Sequence, residues 1–251
     1  MTKHLIVNAD DFGLSDGVNR GIIEAAEHGI LTSTSLMVRQ PAAAAAAEYA
    51  RKHPGLSIGL HLDLGEWVYR NDEWVPLYEV VATDNPAAVF AEISYQVAEF
   101  RRLVCRPPTH IDSHQHVHRQ EPVRSILSSL ARELDLPLRE QTPGISYCGD
   151  FYGQTGEGET LADVLSVDGL ENILRSLPGG VTELGCHPGY DDGLSTAYRV
   201  ERAMETKVLC APQIRKLLAS LQIELCYFSR LKEYIGEFYH AERLHQRPGG
   251  S

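Results

Sequence analysis

The chain has 251 residues, 43% of them hydrophobic and 23% charged, which is an ordinary globular composition with enough length for one large core or two small ones. Its formal net charge of -11 argues against a nucleic-acid or anionic-membrane partner, because the long-range field repels phosphate. No apolar stretch approaches the roughly 20 residues of a membrane span, and no signal-peptide layout precedes the first apolar run, so we expect a cytoplasmic protein.

The first half of the chain alternates short β-branched runs with amphipathic stretches, which is typical of βαβ units and a parallel sheet. We predict strands over residues 5–8, 32–38, 56–62 and 109–112. Ser15 or Asp16 caps a first helix that Gly29 ends, and later helices begin at Pro41 and Pro86. Residues 63–85 are predicted to be a long irregular loop, and loops of that length tend to be functional. Three aromatic residues in this loop are interpreted as loop anchors rather than sugar-stacking residues: Trp67, Tyr69 and Trp74.

The second half continues the alternation. Pro122 begins a helix, a strand follows near 136–139, and residues 141–160 are predicted to be a second long loop. A helix capped by Ser166 precedes a strand over 181–186. A long helix is predicted over 197–221, kinked or split at Pro212, followed by a last strand over 224–228. The predicted organisation is one domain, 1–240, and a flexible tail, 241–251.

Polar side chains stand at the carboxyl ends of four predicted strands. In chain order they are Asp10 and Asp11, His61 and Asp63, Asp112 and His114, and His187. In a parallel α/β barrel or open sheet these ends lie on one face, so residues distant in sequence converge there. The topology therefore predicts a functional site at this face.

Residues 109–118, THIDSHQHVH, are unusually rich in histidine. If the segment stays extended, a period of two places five side chains on one side: His110, Asp112, His114, His116 and His118. Imidazole and carboxylate are ligands for Zn, Fe, Mn or Mg, and an adjacent Asp can orient a ligating histidine. A solvated edge or a chance cluster explains the pattern less well. We expect one or two of these histidines to bind metal and the others to serve substrate or structure.

The tandem Asp10-Asp11 allows two roles at one strand end. Successive side chains point in different directions, so one carboxylate can bind an ion while its neighbour reaches the attacking water. Asp11 could instead face the dipole of the following helix. His187 is presented to the same face by the turn that follows it, although a purely structural histidine is the alternative. Arg202 and Glu205, one helical turn apart, are interpreted as a surface ion pair.

Five segments carry a family resemblance: NADDFGLS at 8–15, LTSTS at 31–35, GLHL at 59–62, THIDSHQHVH at 109–118 and CHPG at 186–189. In this order they resemble the YdjC-like carbohydrate deacetylases, which include chitooligosaccharide deacetylases and hopanoid-biosynthesis deacetylases. The likeness extends to about residue 190. It implies an α/β fold, an irregular (β/α) barrel of the polysaccharide-deacetylase (NodB-like) kind with parallel strands and outer helices, and often a homodimer.

Residue by residue, the resemblance implies a catalytic base at Asp10, metal ligands at Asp11, His61 and His114, and an acid for the leaving group at His187. It implies a divalent cation, Mg²⁺ in the family's usual description, whereas two imidazole ligands favour Zn²⁺. One departure is visible, since a histidine often stands in the family where this chain has Gln115. That side chain points away from the ligands in an extended segment, so we expect little effect.

The expected reaction is metal-dependent hydrolysis of the N-acetyl group of an amino sugar, a short N-acetylated oligosaccharide or a glycoconjugate, with release of acetate. A cation with open positions can activate water and polarise the acetyl carbonyl. One alternative is a metal-dependent phosphoesterase of a histidine-rich barrel type, which would require more basic residues at the strand ends. Another is a non-catalytic sugar-binding protein on the same fold, against which Asp10 and His187 argue. We expect a small-molecule carbohydrate partner, and neither a nucleic-acid partner nor a membrane span.

Overall fold

The longest strand, β1 (Lys3–Phe12), is buried along its last eight residues. Its apolar run Leu5-Ile6-Val7 is typical of a parallel strand that is covered on both faces. A computed structural model describes residues 2–70, 72–194, 196 and 198–235 and places β1 at the centre of the sheet. The strand is longer than predicted because its pairing begins at Lys3, opposite Gly180 and Ile223, and resumes past the aspartates at Phe12, opposite Leu36.

Six further strands join β1 in the main sheet: β2 (Ser33–Leu36), β3 (Ser57–Leu62), β6 (Ile111–Ser113), β7 (Ile145–Cys148), β8 (Gly180–Cys186) and β9 (Ile223–Leu225). These seven described strands form one parallel sheet in the order β6-β3-β2-β1-β8-β7, with β9 paired to the start of β1. A separate antiparallel hairpin consists of β4 (Gly65–Arg70) and β5 (Glu73–Glu79). The predicted α/β fold with a parallel sheet is confirmed.

The helices cover the sheet with their apolar faces. They are α1 (Asp16–His28), α2 (Ala43–Lys52), α3 (Pro86–Val104), α4 (Val123–Leu134), α5 (Val167–Ser176), α6 (Val200–Leu209), α7 (Pro212–Ser220) and α8 (Lys232–Ile235). Ser15 caps α1 as predicted, since its Oγ accepts from the Val18 N–H at 3.2 Å. Among the described helices, none combines the length and the apolar character that crossing a membrane requires.

The main core lies between the sheet and these helices, with side chains such as Leu5, Ile22, Ala46, Phe100 and Leu184 buried. A tightly packed core of this kind holds the carboxyl ends of the strands in fixed positions. The register of β3 and β6 places His61 beside Asp112, which is how the two polar motifs become neighbours.

The sheet curls around a buried arginine. Arg139 contacts Asp10 on β1, Glu183 on β8 and Asp112 on β6, although β6 lies at one edge of the strand order and β8 lies beyond β1. One guanidinium group can reach all three strands only if the sheet bends toward closure. The carboxyl ends of the strands therefore surround one space.

The prediction of an extended histidine segment is wrong beyond Ser113. Residues His114–Arg119 form a 3-10 helix, and Gln115 and His116 have φ of +48° and +54°. The amide of Gln115 bonds the backbone N–H and C=O of Trp67, at 2.9 and 2.7 Å, and the residue lines the same cavity as the predicted metal ligands.

Other predictions require correction. The predicted loop 63–85 contains the β4–β5 hairpin, whose aromatic and β-branched residues favour strand pairing, and the predicted loop 141–160 contains β7. Residues 136–139 make only an isolated bridge, between Leu138 and Ile111. The late helix divides into α6 and α7 before Pro212, as predicted. Ala197, its predicted start, and the predicted tail 241–251 lie outside the described residues.

Candidate metal and catalytic site

Three buried side chains from three strand ends converge at the mouth of the sheet. Asp11 lies near the end of β1, His61 near the end of β3, and His114 directly after β6. The Asp11 Oδ1 atom is 3.3 Å from His61 Nε2 and 3.1 Å from His114 Nδ1. Potential ligand atoms of all three residues lie within 4.8 Å of one another. The structure thus brings together the three residues that were predicted to bind a metal.

Neighbouring side chains orient this triad. Arg202 donates to Asp11 Oδ2 at 2.7 Å, which leaves Oδ1 facing the two imidazoles. His61 Nδ1 lies 2.8 Å from Asp112 Oδ1 and 3.2 Å from Ser35 Oγ. A carboxylate on one ring nitrogen sets the tautomer so that the other nitrogen is free to bind a cation.

The donor set fits a divalent cation. His61 Nε2 is buried and has no hydrogen-bond partner within the described part of the chain, yet it faces the Asp11 carboxylate. Burial alone would lower the pKa of His61, but the charges of Asp112 and Asp10 raise it to about 10. A divalent cation would take the place of the protons on the two imidazoles. One carboxylate oxygen and one nitrogen from each ring would bind it.

Asp10, the predicted catalytic base, is paired with Arg139. Both Asp10 oxygens accept from the guanidinium at 2.7 Å. Burial alone would raise the pKa of Asp10, but the Arg139 charge holds it below its usual value. Arg139 also contacts Asp112 at 2.8 Å, so a cation between Asp10, His61 and Asp112 would compete with a guanidinium already in place.

His187, the predicted acid, follows β8 on the same face. Its Nε2 lies 3.8 Å from Asp10 Oδ2, and its backbone N–H donates to the buried Glu205 carboxylate. Glu205 also accepts from the Tyr198 hydroxyl, and burial raises the Glu205 pKa to about 8. The rings of Tyr152 and Tyr198 each lie 5.4 Å from the His187 ring. Burial in this aromatic pocket lowers the pKa of His187 to about 4, so the imidazole is neutral at neutral pH.

A cavity of about 1000 Å³ opens above these residues and is lined by all five predicted site residues. The β4–β5 hairpin contributes Trp67 and Trp74 to its wall. Glu66, at the base of the hairpin, lies 3.7 Å from His114 Nε2 and accepts from the Thr196 hydroxyl at 2.9 Å. The cavity is large enough for a small carbohydrate and has an aromatic rim.

The other histidines of the 109–118 segment do not join the triad. His110 stacks on Phe228 with ring centroids 3.9 Å apart and bonds Thr109 Oγ1 at 2.9 Å. Gly59 permits this approach, since a Cβ there would lie 2.4 Å from the His110 ring. His116 and His118 lie together on the 3-10 helix, beside Glu140.

Four polar residues at the site were missed or misread from sequence: Arg139, Arg202, Glu205 and Glu66. The surface ion pair predicted for Arg202 and Glu205 is wrong, because both side chains are buried and Arg202 bonds Asp11. The only signal for Arg139 was its place at the end of a predicted strand, and Glu66 lay inside a predicted loop.

The chain matches known proteins over most of its length. A family model described as YdjC-like protein matches residues 4–220. A chitooligosaccharide deacetylase from Serratia marcescens is 36% identical, over 87% of this chain and 95% of that protein. A protein from Enterococcus faecalis V583, provisionally described as a cellobiose-phosphate cleavage protein, superposes with a TM-score of 0.76 at 27% identity, covering 92% of this chain and 99% of that one. A family 4 carbohydrate esterase from Streptomyces lividans in complex with acetate shares the fold, with a TM-score of 0.54 at 14% identity over 90% of this chain and 91% of that one.

Proposed function

The chain belongs to the YdjC-like protein family, and we propose that it hydrolyses the N-acetyl group of an amino sugar or short N-acetylated oligosaccharide or glycoconjugate, with release of acetate. The observation that carries this proposal is the approach of Asp11 Oδ1 to His61 Nε2 and His114 Nδ1, at 3.3 and 3.1 Å, beneath a cavity that also holds Asp10 and His187. The relative from Serratia marcescens, described as a chitooligosaccharide deacetylase, supports the choice of substrate class.

In the proposed reaction, Asp11, His61 and His114 hold a divalent cation. When bound, the cation supplies Lewis-acid polarisation of the acetyl carbonyl and lowers the pKa of water. Asp10 accepts the proton of the attacking water, and Arg139 keeps its carboxylate ionised and correctly oriented. His187 Nε2 donates a proton to the departing amine. Because its pKa is about 4, His187 starts neutral and receives that proton from Asp10, whose Oδ2 is 3.8 Å away.

The cation and the assembly follow the family resemblance, whereas the domain bounds and the location follow the sequence analysis above. The native cation is Mg²⁺, with Zn²⁺ as the alternative that two imidazole ligands favour. We also propose that the catalytic unit is a single domain over residues 1–240, that the protein acts in the cytoplasm, and that two copies associate as a homodimer. Metal analysis and sedimentation of the purified protein test the first and last of these statements.

The phosphoesterase alternative is weaker at this site. The cavity wall includes Arg119 and Arg202, but Glu140 and Asp11 already pair with them, at 2.6 and 2.7 Å. A phosphate ligand would therefore meet neutralised guanidinium groups. The provisional description of the Enterococcus faecalis relative makes a phosphorylated sugar a useful second substrate for the test.

The test measures free acetate from N-acetylglucosamine oligomers and free phosphate from cellobiose phosphate, using protein of known metal content. We expect acetate only. Asp11→Asn should lose both metal and activity, whereas Asp10→Asn should keep the metal and lose about 10²- to 10⁴-fold in kcat. Full activity of the Asp10→Asn protein would refute its role as the base, and phosphate release without acetate would refute the deacetylase proposal. Binding of sugar with neither product would indicate the non-catalytic alternative.

A further inference from the structure

A second group of potential metal ligands lies beside the first. One nitrogen each of His116 and His118 and one oxygen of Glu140 lie within 4.8 Å of one another. We propose that these three residues form a second cation site, for Zn²⁺ or a similar borderline cation. The proposal does not depend on the deacetylase activity, because it uses none of the residues assigned to that reaction.

Each of the two imidazoles presents a buried nitrogen that has no hydrogen-bond partner among the described residues. These atoms are His116 Nδ1 and His118 Nε2, and His118 Nε2 lies 3.4 Å from Glu140 Oε2. A buried polar atom that stays unpaired costs about 1–3 kcal/mol, so such atoms call for a missing partner. A cation held between the two rings would supply such a partner.

The remaining polar atoms of the two rings are already held. His118 Nδ1 lies 2.6 Å from Ser113 Oγ, and His116 Nε2 lies 3.5 Å from the Tyr147 hydroxyl. When Nδ1 of His118 donates to the serine, Nε2 is left as a free ligand. This is the usual arrangement of metal-binding histidines, in which the second ring nitrogen bonds a neighbouring group.

Glu140 resembles Asp11 in its setting. Both carboxylates pair with an arginine, but Arg119 donates to both Glu140 oxygens, at 2.7 and 2.6 Å, whereas Arg202 donates to one oxygen of Asp11. Arg119 is half exposed, unlike the buried Arg139, so its Nε can give up Glu140 Oε2 to a cation while Nη2 stays on Oε1. The backbone φ is +68° at Asp11 and +61° at Glu140, a sparsely populated conformation for residues other than glycine.

Two imidazole nitrogens and one carboxylate oxygen are a ligand set for zinc, with a position left open for water or substrate. His116 and Arg119 line the large cavity, so the site borders it. A cation there would add a positive charge to the cavity wall, separate from the Asp11 triad.

The experiment counts zinc bound per chain after metal-free protein is equilibrated with Zn²⁺ and passed through a desalting column. His61→Ala, which disrupts the first site, serves as the background. We expect His61→Ala to retain one zinc, and His61→Ala with Glu140→Gln to bind it at least about 10-fold more weakly. The matched control is Glu99→Gln, because Glu99 likewise accepts two hydrogen bonds from one arginine, Arg102, at 2.6 and 2.8 Å.

The same comparison is made in the wild-type background, so that misfolding of the His61→Ala protein does not decide the result. There Glu140→Gln should remove one of two bound zinc ions, while Glu99→Gln should remove none. The proposal is overturned if Glu140→Gln leaves zinc binding unchanged in both backgrounds. It is equally overturned if the folded His61→Ala protein binds no zinc.

Discussion

Arg202 Nη2 donates to Asp11 Oδ2 at 2.7 Å, and the other oxygen of Asp11 faces the nitrogens of His61 and His114. The arginine lies on α6, 191 residues away in sequence, and is buried. It therefore decides which carboxylate oxygen is presented to a cation. Burial alone would raise the pKa of Asp11, but the Arg202 charge holds it well below the usual value, so the carboxylate stays ionised.

We predict that Arg202→Gln weakens binding of the divalent cation by about 10- to 100-fold, the usual effect of losing a group that orients a metal ligand. Calorimetric titration of metal-free protein with Mg²⁺ and Zn²⁺ measures the change. Arg199→Gln is the control, because Arg199 pairs with Asp191 at 2.6 Å on the surface. Equal affinities for the Arg202→Gln protein and the wild type would show that Arg202 does not position Asp11.

Arg139 should be essential for the stability of the fold as well as for keeping Asp10, the proposed base, ionised. Its guanidinium contacts three buried carboxylates, on Asp10, Asp112 and Glu183. Arg139→Leu leaves those charges uncompensated, and we predict a loss of about 3–5 kcal/mol in the free energy of unfolding. Urea denaturation measures it, with Arg175→Leu, which breaks an exposed pair with Glu171, as the control. A loss below 1 kcal/mol would mean that the carboxylates are not ionised together.

His110 should contribute to loss of stability in acid. Burial lowers its pKa from 6.5 to about 4. The folded state then binds fewer protons at this site than the unfolded state between these two values. The contribution of neutral His110 to the free energy of unfolding is complete above pH 6.5 and is lost as the pH falls through 4. The change is on the order of 3 kcal/mol.

The measurement is the free energy of unfolding in urea at a series of pH values from neutral to acid. The free energy of unfolding of the His110→Gln protein should fall less steeply with decreasing pH than that of the wild type, because one titrating group has been removed. His53→Gln is the control, since His53 stacks on Tyr49 with centroids 3.9 Å apart but is exposed. Parallel curves for the wild type and His110→Gln would contradict the prediction.

Trp74 should contribute to substrate binding rather than to chemistry. Its side chain is 60% exposed and lines the cavity. Its ring centroid lies 5.6 Å from that of Tyr69 across the hairpin. We predict that Trp74→Ala raises KM for N-acetylglucosamine oligomers by about 2- to 10-fold, the effect of losing one aromatic contact, with kcat nearly unchanged. Phe90→Ala removes a similarly exposed ring on α3, 58% exposed, and should leave KM unaltered. If both variants behave alike, the hairpin is not part of the sugar site, and the aromatics only anchor it, as the sequence suggested.

The sequence by itself determined the parallel α/β fold and the face on which the site lies. Alternating apolar runs require a buried parallel sheet, and a parallel sheet gathers the ends of its strands. Position therefore placed seven residues on one face: Asp10, Asp11, His61, Asp63, Asp112, His114 and His187. The choice of metal ligands, base and acid among them came from the family resemblance. Their motifs are local, and each lies within or directly after a recognisable strand.

Only the tertiary structure decided how those residues are held and which other residues join them. Arg202 reaches Asp11, and Arg139 reaches Asp10, across separations of 191 and 129 residues. No local pattern records such contacts, because they depend on the curl of the sheet and the docking of α6. The turn after Ser113 was likewise hidden, since the left-handed backbone at Gln115 and His116 overrides the period of two that the histidines suggest. Local periodicity specifies secondary structure, whereas ion pairs between distant segments exist only after the chain has packed.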